Sequence, residues 1–256
     1  MAARTFPSAA DAVTALLADP GGVVAFGEVH QRNATAGTRS ALARFDQEIL
    51  PVIAPRTAHL VVETWMTHGT CGQAEARVTD DVARTTERPA ETESEIGALL
   101  RRAKELGIAP HILEITCDEY RSLTGADGKV DYDRLLTITT HHLEVAARQA
   151  LALPRSPQRP LVVFYGGALH NDLYPAPATA RYSFGPAVYA LARGAYREID
   201  LYVPELVDQA PALRADPWYA AWLRRAGRGK KPAGDVAVIA RGPRSAILVF
   251  PRGAQR

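Results

Sequence analysis

The chain has 256 residues, 47% of them hydrophobic and 23% charged, a size and make-up that allow a sizeable core and fit one globular domain over 1–256. Thirty Lys and Arg face 28 Asp and Glu for a net charge of +2, with the basic residues scattered except around Arg224, Arg225, Arg228, Lys230 and Lys231, so the balance asks for no nucleic-acid partner. No apolar run approaches the roughly 18 residues of a membrane span, and the first residues lack the basic-then-apolar order of a secretory signal. Cys71 and Cys117, outside any CxxC spacing, read as free thiols of a reducing compartment, and a soluble cytoplasmic protein with no membrane partner is expected.

Taken in chain order, Ser8 with Asp11 three positions on marks a helix start, and Val13, Leu16 and Leu17 make a short stripe that ends at Pro20-Gly21-Gly22. A first buried strand, Val23–Phe26, runs into Gly27-Glu28-Val29-His30. Ala41, Leu42, Phe45, Ile49 and Val52 recur at helical spacing and stop near Pro51 to Pro55, after which His59 to Glu63 reads as a second buried strand. The polar segment 71–93 lacks apolar periodicity and reads as a long loop or lid.

Ser94 then caps a helix with Ile96, Leu99, Leu100, Ala103 and Leu106 on one face, ended by Gly107. A third strand spans Pro110–Ile115, and Asp127-Gly128 turns the chain into a long helix buried at Tyr132, Leu135, Leu136, Leu143, Ala146 and Ala150. Leu161 to Tyr165 is a fourth strand and Tyr196–Val203 a fifth. "DVAVIA" and "SAILVF", separated by Arg241-Gly242-Pro243-Arg244, suggest a closing hairpin over 234–250.

Strand alternating with helix predicts an α/β fold: a mostly parallel central sheet with helices on both faces and a C-terminal β-hairpin added. Ligands of such sheets bind at the carboxyl ends of the strands. Those ends carry Glu28 and His30, Glu63, Glu114, and the run "GGALHND" with His170. Gly27-x-x-His30 and Gly167-x-x-His170 each place a glycine three residues before an imidazole, where an unusual backbone angle would let the strand turn sharply.

Together "FGEVH", "VVET" and "YGGALHND" resemble the superfamily that joins the erythromycin esterases, the Tiki metalloproteases, the TraB-type proteins and the ChaN-like haem-uptake proteins. The likeness runs from about Val23 to Asp172 and is nearest to the ChaN-like branch, whose first motif reads GExH. It implies a parallel α/β core with Glu28, His30, Glu63 and His170 forming the active or ligand site. Gln31 stands where that branch commonly has Asp, Asn33 and Thr35 replace its paired histidines, and its lipoprotein anchor is missing, departures that speak against haem.

Two imidazoles and two carboxylates allow two schemes. His30, Glu63 and His170 could ligate a divalent ion, zinc, manganese or cobalt, whose bound water attacks a carbonyl. Without a metal, His30 could deprotonate the water, oriented by a carboxylate, while His170 or Arg181 stabilises the oxyanion. Either scheme hydrolyses an ester or amide of a small molecule or peptide, and Trp65, Tyr165, Tyr182 and Phe184 could line the pocket.

Plainer readings stand beside these. The imidazoles could only cap their turns, the aromatics could be packing, and Asp118 and Glu119 could be solvated loop acids. His68 with Cys71 looks like plain loop, and His142 like a satisfied core histidine beside His141. Trp218, Tyr219 and Trp222 mark core or an interface. Two other functional classes stay open: a haem or metal carrier without turnover, and a scaffold for a partner protein. The pattern says nothing of oligomeric state.

Overall fold

The computed structural model describes residues 3–18, 22–67, 71–226 and 235–253. Within them eight strands form a single sheet: β1 Ala3–Phe6, β2 Gly22–Glu28, β3 Thr57–Thr67, β4 Ala109–Ile115, β5 Leu161–Gly167, β6 Tyr196–Tyr202, β7 Val236–Gly242 and β8 Ser245–Val249. Their order across the sheet is β1-β7-β8-β6-β2-β5-β3-β4. The pairs β8/β6, β6/β2, β2/β5, β5/β3 and β3/β4 are parallel, and only β7 runs against its neighbours. This is the α/β sheet with a C-terminal hairpin that the alternation predicts. The short β1, pairing with β7, was hidden from periodicity by its four-residue length.

The helices are α1 Ala9–Leu16, α2 Ala41–Arg44, α3 Leu50–Ile53, α4 Gln73–Thr86, α5 Glu91–Glu105, α6 Cys117–Ser122, α7 Tyr132–Ala152, α8 Ala168–Asn171, α9 Gly185–Leu191, α10 Pro204–Val207, α11 Pro211–Ala215 and α12 Pro217–Ala226. Because strand side chains alternate, the sheet buries both faces. Val24, Phe26, Leu60, Val62, Val163 and Tyr165 pack with residues of α1 to α3 and α5. Val23, Ala25, Val61, Val162 and Phe164 pack on the other side with Leu143 and Ala147 of α7 and Val188 of α9. On α12, Trp218 is buried with its ring 4.9 Å from that of Tyr202.

Local chemistry explains most element ends. Ser8 Oγ accepts the Asp11 N–H at 3.1 Å, starting α1. Gly107, just past α5, has φ +72, and Gly128 in the turn before α7 has φ +78, conformations that cost glycine little. Between α2 and α3 the helix widens into a π turn, Phe45–Ile49, ahead of Pro51, which lacks an N–H to donate. That widened turn changes the phase, and Val52, read as part of the apolar stripe, is 37% exposed while Leu50 and Ile53 are buried.

Three readings need correction. The segment 71–93 is no loop: α4 fills most of it, α5 begins at Glu91 rather than after Ser94, and the Ser94 hydroxyl donates to the Glu91 carbonyl inside the helix. The apolar signal of α4 is thin, since Val78 is its one buried residue, flanked by half-buried Ala74 and Val82. Cys71 and Cys117 are not free thiols but a disulfide, which ties the start of α4 to α6. Finally, β3 does not stop at Glu63. It runs on to Thr67 past a bulge, where Val62 pairs with Ile112 and Trp65 with Leu113.

Candidate functional site

The connections change direction across the sheet between the parallel strands β2 and β5. The chain leaving β2 passes through α2 and α3 on one face to reach β3, whereas the chain leaving β5 passes through α9 on the opposite face to reach β6. Diverging connections open a crevice at the carboxyl ends of these two adjacent strands. Glu28, His30, Gly167 and His170 border it, and the bulge in β3 brings Glu63 in from the next strand, since two extra residues re-aim the side chain.

His30 Nδ1 lies 2.8 Å from Glu28 Oε1. The other oxygen of that carboxylate, Oε2, accepts the Tyr165 hydroxyl at 2.6 Å. Burial first, and then the Glu28 charge, push the Tyr165 pKa far up, so the phenol keeps its proton and is the donor. A carboxylate can only accept, so Nδ1 of His30 donates to it and Nε2 is the nitrogen left to exchange a proton with the site.

His170, buried, is fixed in the same sense. Its Nδ1 lies 2.8 Å from the Tyr182 carbonyl and 3.0 Å from Thr140 Oγ1. A carbonyl also only accepts, so here too Nδ1 donates and Nε2 is the nitrogen turned to the site, 3.8 Å from Glu63 Oε1. The second oxygen of Glu63 accepts the Gly167 N–H at 2.7 Å. A Cβ placed on Gly167 would lie 2.9 Å from His30 Nε2 and 3.6 Å from Glu63 Oε2. The imidazole nitrogen and the carboxylate oxygen therefore flank one bare stretch of backbone.

This geometry corrects the role given to the motif glycines. Gly167 has φ −72 and Gly27 is not among the residues of positive φ, so neither supplies an unusual backbone angle. What each supplies is a missing side chain. A Cβ on Gly27 would meet Asn171 Oδ1 at 2.6 Å and Ala168 Cα at 2.7 Å, so only glycine lets α8 sit down on β2.

The surroundings of Glu63 favour its ionised form. Burial pushes its pKa up, but the facing His170 and His30, the Gly167 N–H and the charge of Arg88 outweigh burial and hold it below the usual glutamate value. Arg88 stands between α4 and α5 and lines a hollow with Glu28, His30, Gln31 and Glu95. No motif marks it, because the polar segment around it lacks apolar periodicity.

Beneath the crevice lies a polar base that periodicity also missed. Asn171 Nδ2 donates to the Ala25 carbonyl and to Asp200 Oδ1, both at 3.3 Å. Glu198 Oε2 accepts the Leu173 N–H at 2.9 Å. Arg241 reaches Asp200 at 2.8 Å, Glu198 at 3.1 Å and Asp172 at 3.3 Å. Glu198 and Asp200 are fully buried, and burial, then the Glu198 charge, push the Asp200 pKa far up against the pull of Arg241 and Asn171. The visible signal was two acids, two positions apart, inside the strand "YREIDLY".

Of the remaining expected residues, Phe184 lines a small hollow with Glu63, Tyr165 and Gly167. Arg181 is exposed, pairs with Asp133 at 2.7 Å and lies over the Tyr182 ring. Trp65 packs toward Tyr120, and Phe184 is buried against Phe164. Glu119 closes the cap of α6 and holds His142 Nε2 at 2.8 Å, while Asp118 pairs with Arg121. His141 is exposed. His68 lies outside the described residues, as do Arg228, Lys230 and Lys231.

Neither a family model, nor a curated protein, nor a solved structure matches this chain. Its chemistry has to be read from the site itself. Among the described residues no three His, Cys, Asp or Glu side chains stand close enough to hold one metal ion, and no helix is long and apolar enough to cross a membrane.

Proposed function

We propose that this protein is a hydrolase that cleaves an ester or amide bond at the carboxyl edge of β2, β3 and β5. One observation carries the reading: both motif imidazoles anchor Nδ1 on a fixed acceptor, His170 Nε2 stands 3.8 Å from Glu63, and His30 Nε2 and Glu63 Oε2 border the same bare stretch at Gly167. The likeness to the erythromycin-esterase, Tiki and ChaN-like superfamily supports the same reading. His30 Nε2 takes a proton from water as the water oxygen attacks the carbonyl carbon. Glu28, steadied by the Tyr165 hydroxyl, offsets the charge that forms on the ring. The same proton then passes to the leaving oxygen or nitrogen as its bond to the carbonyl carbon breaks, giving an acid and an alcohol or amine. Glu63 stays ionised throughout and favours a proton on His170 Nε2, whose N–H donates to the carbonyl oxygen as negative charge develops there.

A second reading adds a divalent ion. Histidines whose Nδ1–H rests on a carboxylate or carbonyl are oriented as metal ligands commonly are, which favours His30 and His170, with Glu63, as the donors for zinc, manganese or cobalt. The spacing among the described residues is too wide for three of them to share an ion as they stand, and the steps above run without one. The Cys71–Cys117 disulfide favours an oxidising compartment over the cytoplasm expected from free thiols.

The test is turnover of a panel of 4-nitrophenyl esters and anilides. Hydrolysis that falls at least about 10²-fold in His30→Ala and Glu63→Gln, with circular dichroism unchanged, is the expected result. Equal turnover in wild type and both variants, or none in wild type, would sink the proposal. Activity lost on chelation and restored by zinc, manganese or cobalt would select the metal-assisted form.

A further inference from the structure

We infer that Arg88 is the receptor for a carboxylate group of the substrate, set beside the bond that the His30 site cleaves; the inference rests on the hydrolytic reading of that site. The first ground is the backbone that presents it. Glu87, immediately before Arg88, has φ +50, a left-handed conformation that a residue with a side chain adopts at a cost and that concentrates at functional positions. Pro89, immediately after, is buried and its ring limits the backbone further. The Glu87 carbonyl accepts the Asn33 N–H at 2.7 Å, so the loop that carries His30 clasps the turn that carries Arg88. Two segments far apart in sequence thus hold the guanidinium at the crevice.

The second ground is the side chain's unmet valence. Arg88 lines the hollow with Glu28, His30, Gln31, Ser40 and Glu95, and its Nε is buried without a hydrogen-bond partner. Buried donors in native proteins almost always have an acceptor, and one left bare costs desolvation energy until something supplies it. No acceptor of the wall reaches that Nε, and the Glu28 oxygens and Glu95 Oε2 already accept from His30, Tyr165 and Ser40. On Glu63, Arg88 acts through space. A guanidinium edge with a free Nε–H donates two parallel bonds to the oxygens of a planar carboxylate. Glu28 and Glu95 in the same wall repel the two charges that a phosphate places on one group more than the single charge of one carboxylate group, whatever charge the molecule carries further off, which selects the carboxylate.

Succinate titrated calorimetrically into the full-length protein tests binding without turnover. Wild type binds it, Arg88→Gln weakens binding by about 10- to 100-fold, and Arg88→Lys, which keeps the charge but not the fork, falls between. Turnover supplies the second arm, as the ratio of kcat/KM for mono-4-nitrophenyl succinate to that for 4-nitrophenyl butyrate. Arg88→Gln lowers this ratio by a similar factor, mainly through KM, and Arg88→Lys restores part of it.

Succinate binding that is absent from wild type, or unchanged in Arg88→Gln, overturns the inference. Inorganic phosphate competing better than succinate overturns the choice of carboxylate. Arg88-dependent succinate binding with no ester cleaved leaves the receptor standing and removes the hydrolase. Cleavage that depends on His30 but shows the same ratio in Arg88→Gln does the reverse.

Discussion

Glu28 holds His30 Nδ1 at 2.8 Å through one oxygen and the Tyr165 hydroxyl at 2.6 Å through the other. The carboxylate is thus oriented by a buried phenol on the neighbouring strand, and the imidazole by the carboxylate. If His30 is the base, removing it lowers kcat by about 10²- to 10⁴-fold. Glu28→Gln also costs rate, because an amide can offer Nδ1 a donor in place of an acceptor and so permit the wrong tautomer. Tyr165→Phe keeps the ring in the core and loses only the hydrogen bond, so it gives a smaller fall, about 10-fold, for a bond worth roughly 1.5 kcal/mol. Steady-state kinetics on the three variants check this order, and Tyr165→Phe being as damaging as His30→Ala would contradict it.

Gly167→Ala separates position from folding. The backbone there has φ −72, which alanine adopts freely, yet the added methyl would press on His30 Nε2 from 2.9 Å. The imidazole must move by several tenths of an ångström, and displacements of that order cost up to about 10²-fold in rate. Melting temperature shifts little while kcat falls. A variant as active as wild type would show that His30 Nε2 does not work at that spot.

Glu63 gives a pH signature. A carboxyl whose pKa is depressed on folding contributes stability that is present above the unfolded value of about 4.3 and is lost as pH falls through the folded one. Glu63→Gln should therefore be less stable than wild type at pH 7 by about 1–3 kcal/mol, and the gap should close below about pH 4. Denaturant titrations at pH 7 and pH 3.5 measure it. A gap of constant size would mean that the ionised form of Glu63 contributes nothing to the fold.

The sheet was legible because its central strands are continuous apolar runs, such as Val23–Phe26 and Leu161–Tyr165, that only a doubly covered parallel sheet can bury. The place of Glu28, His30, Glu63 and His170 along its carboxyl edge followed from the same rule. What failed did so for physical reasons. Helix α4 buries one residue, so its periodicity falls below notice, and the widened turn before Pro51 shifts the phase that placed Val52 inside. The disulfide depends on two loops meeting after separate strands, which no local spacing encodes. Arg181, the cation expected at the site, is exposed and pairs with Asp133, while Arg88, which follows the left-handed Glu87, lines the hollow beside His30.

Closing the 71–117 loop by a disulfide stabilises the fold by about 2–4 kcal/mol in the usual chain-entropy account. Its loss should be felt first in α4 and α6, whose shared cluster of Val78, Ile115, Tyr120 and Leu123 is small. Cys71→Ser/Cys117→Ser should lower the denaturation midpoint and raise amide exchange in 73–86 and 117–122 ahead of β2 and β5. Exchange that rises uniformly across the sheet would argue that the bond supports the whole fold rather than this flank.

The buried acids beneath the crevice make the sharpest stability prediction. Asp200 and Glu198 have pKa values raised on folding, foremost by burial. Such groups keep protons in the folded state that the unfolded chain has already released, so stability falls as pH rises from about 4 toward their folded values. Asp200→Asn mimics the protonated form, keeps an oxygen for Arg241 and should flatten this decline, matching or exceeding wild-type stability at pH 8. Arg241→Met does the opposite. It leaves Asp172, Glu198 and Asp200 facing one another without a counter-charge, and removing one partner of a buried charged cluster costs about 3–5 kcal/mol. Because Asn171 and Asp172 hang from this cluster, Arg241→Met should also loosen α8 and shift His170, whereas Asp200→Asn should not. Urea titrations from pH 5 to pH 9, read together with the imidazole resonances of His170, decide it: an Arg241→Met protein as stable as wild type across that range would show that the acids need no cation.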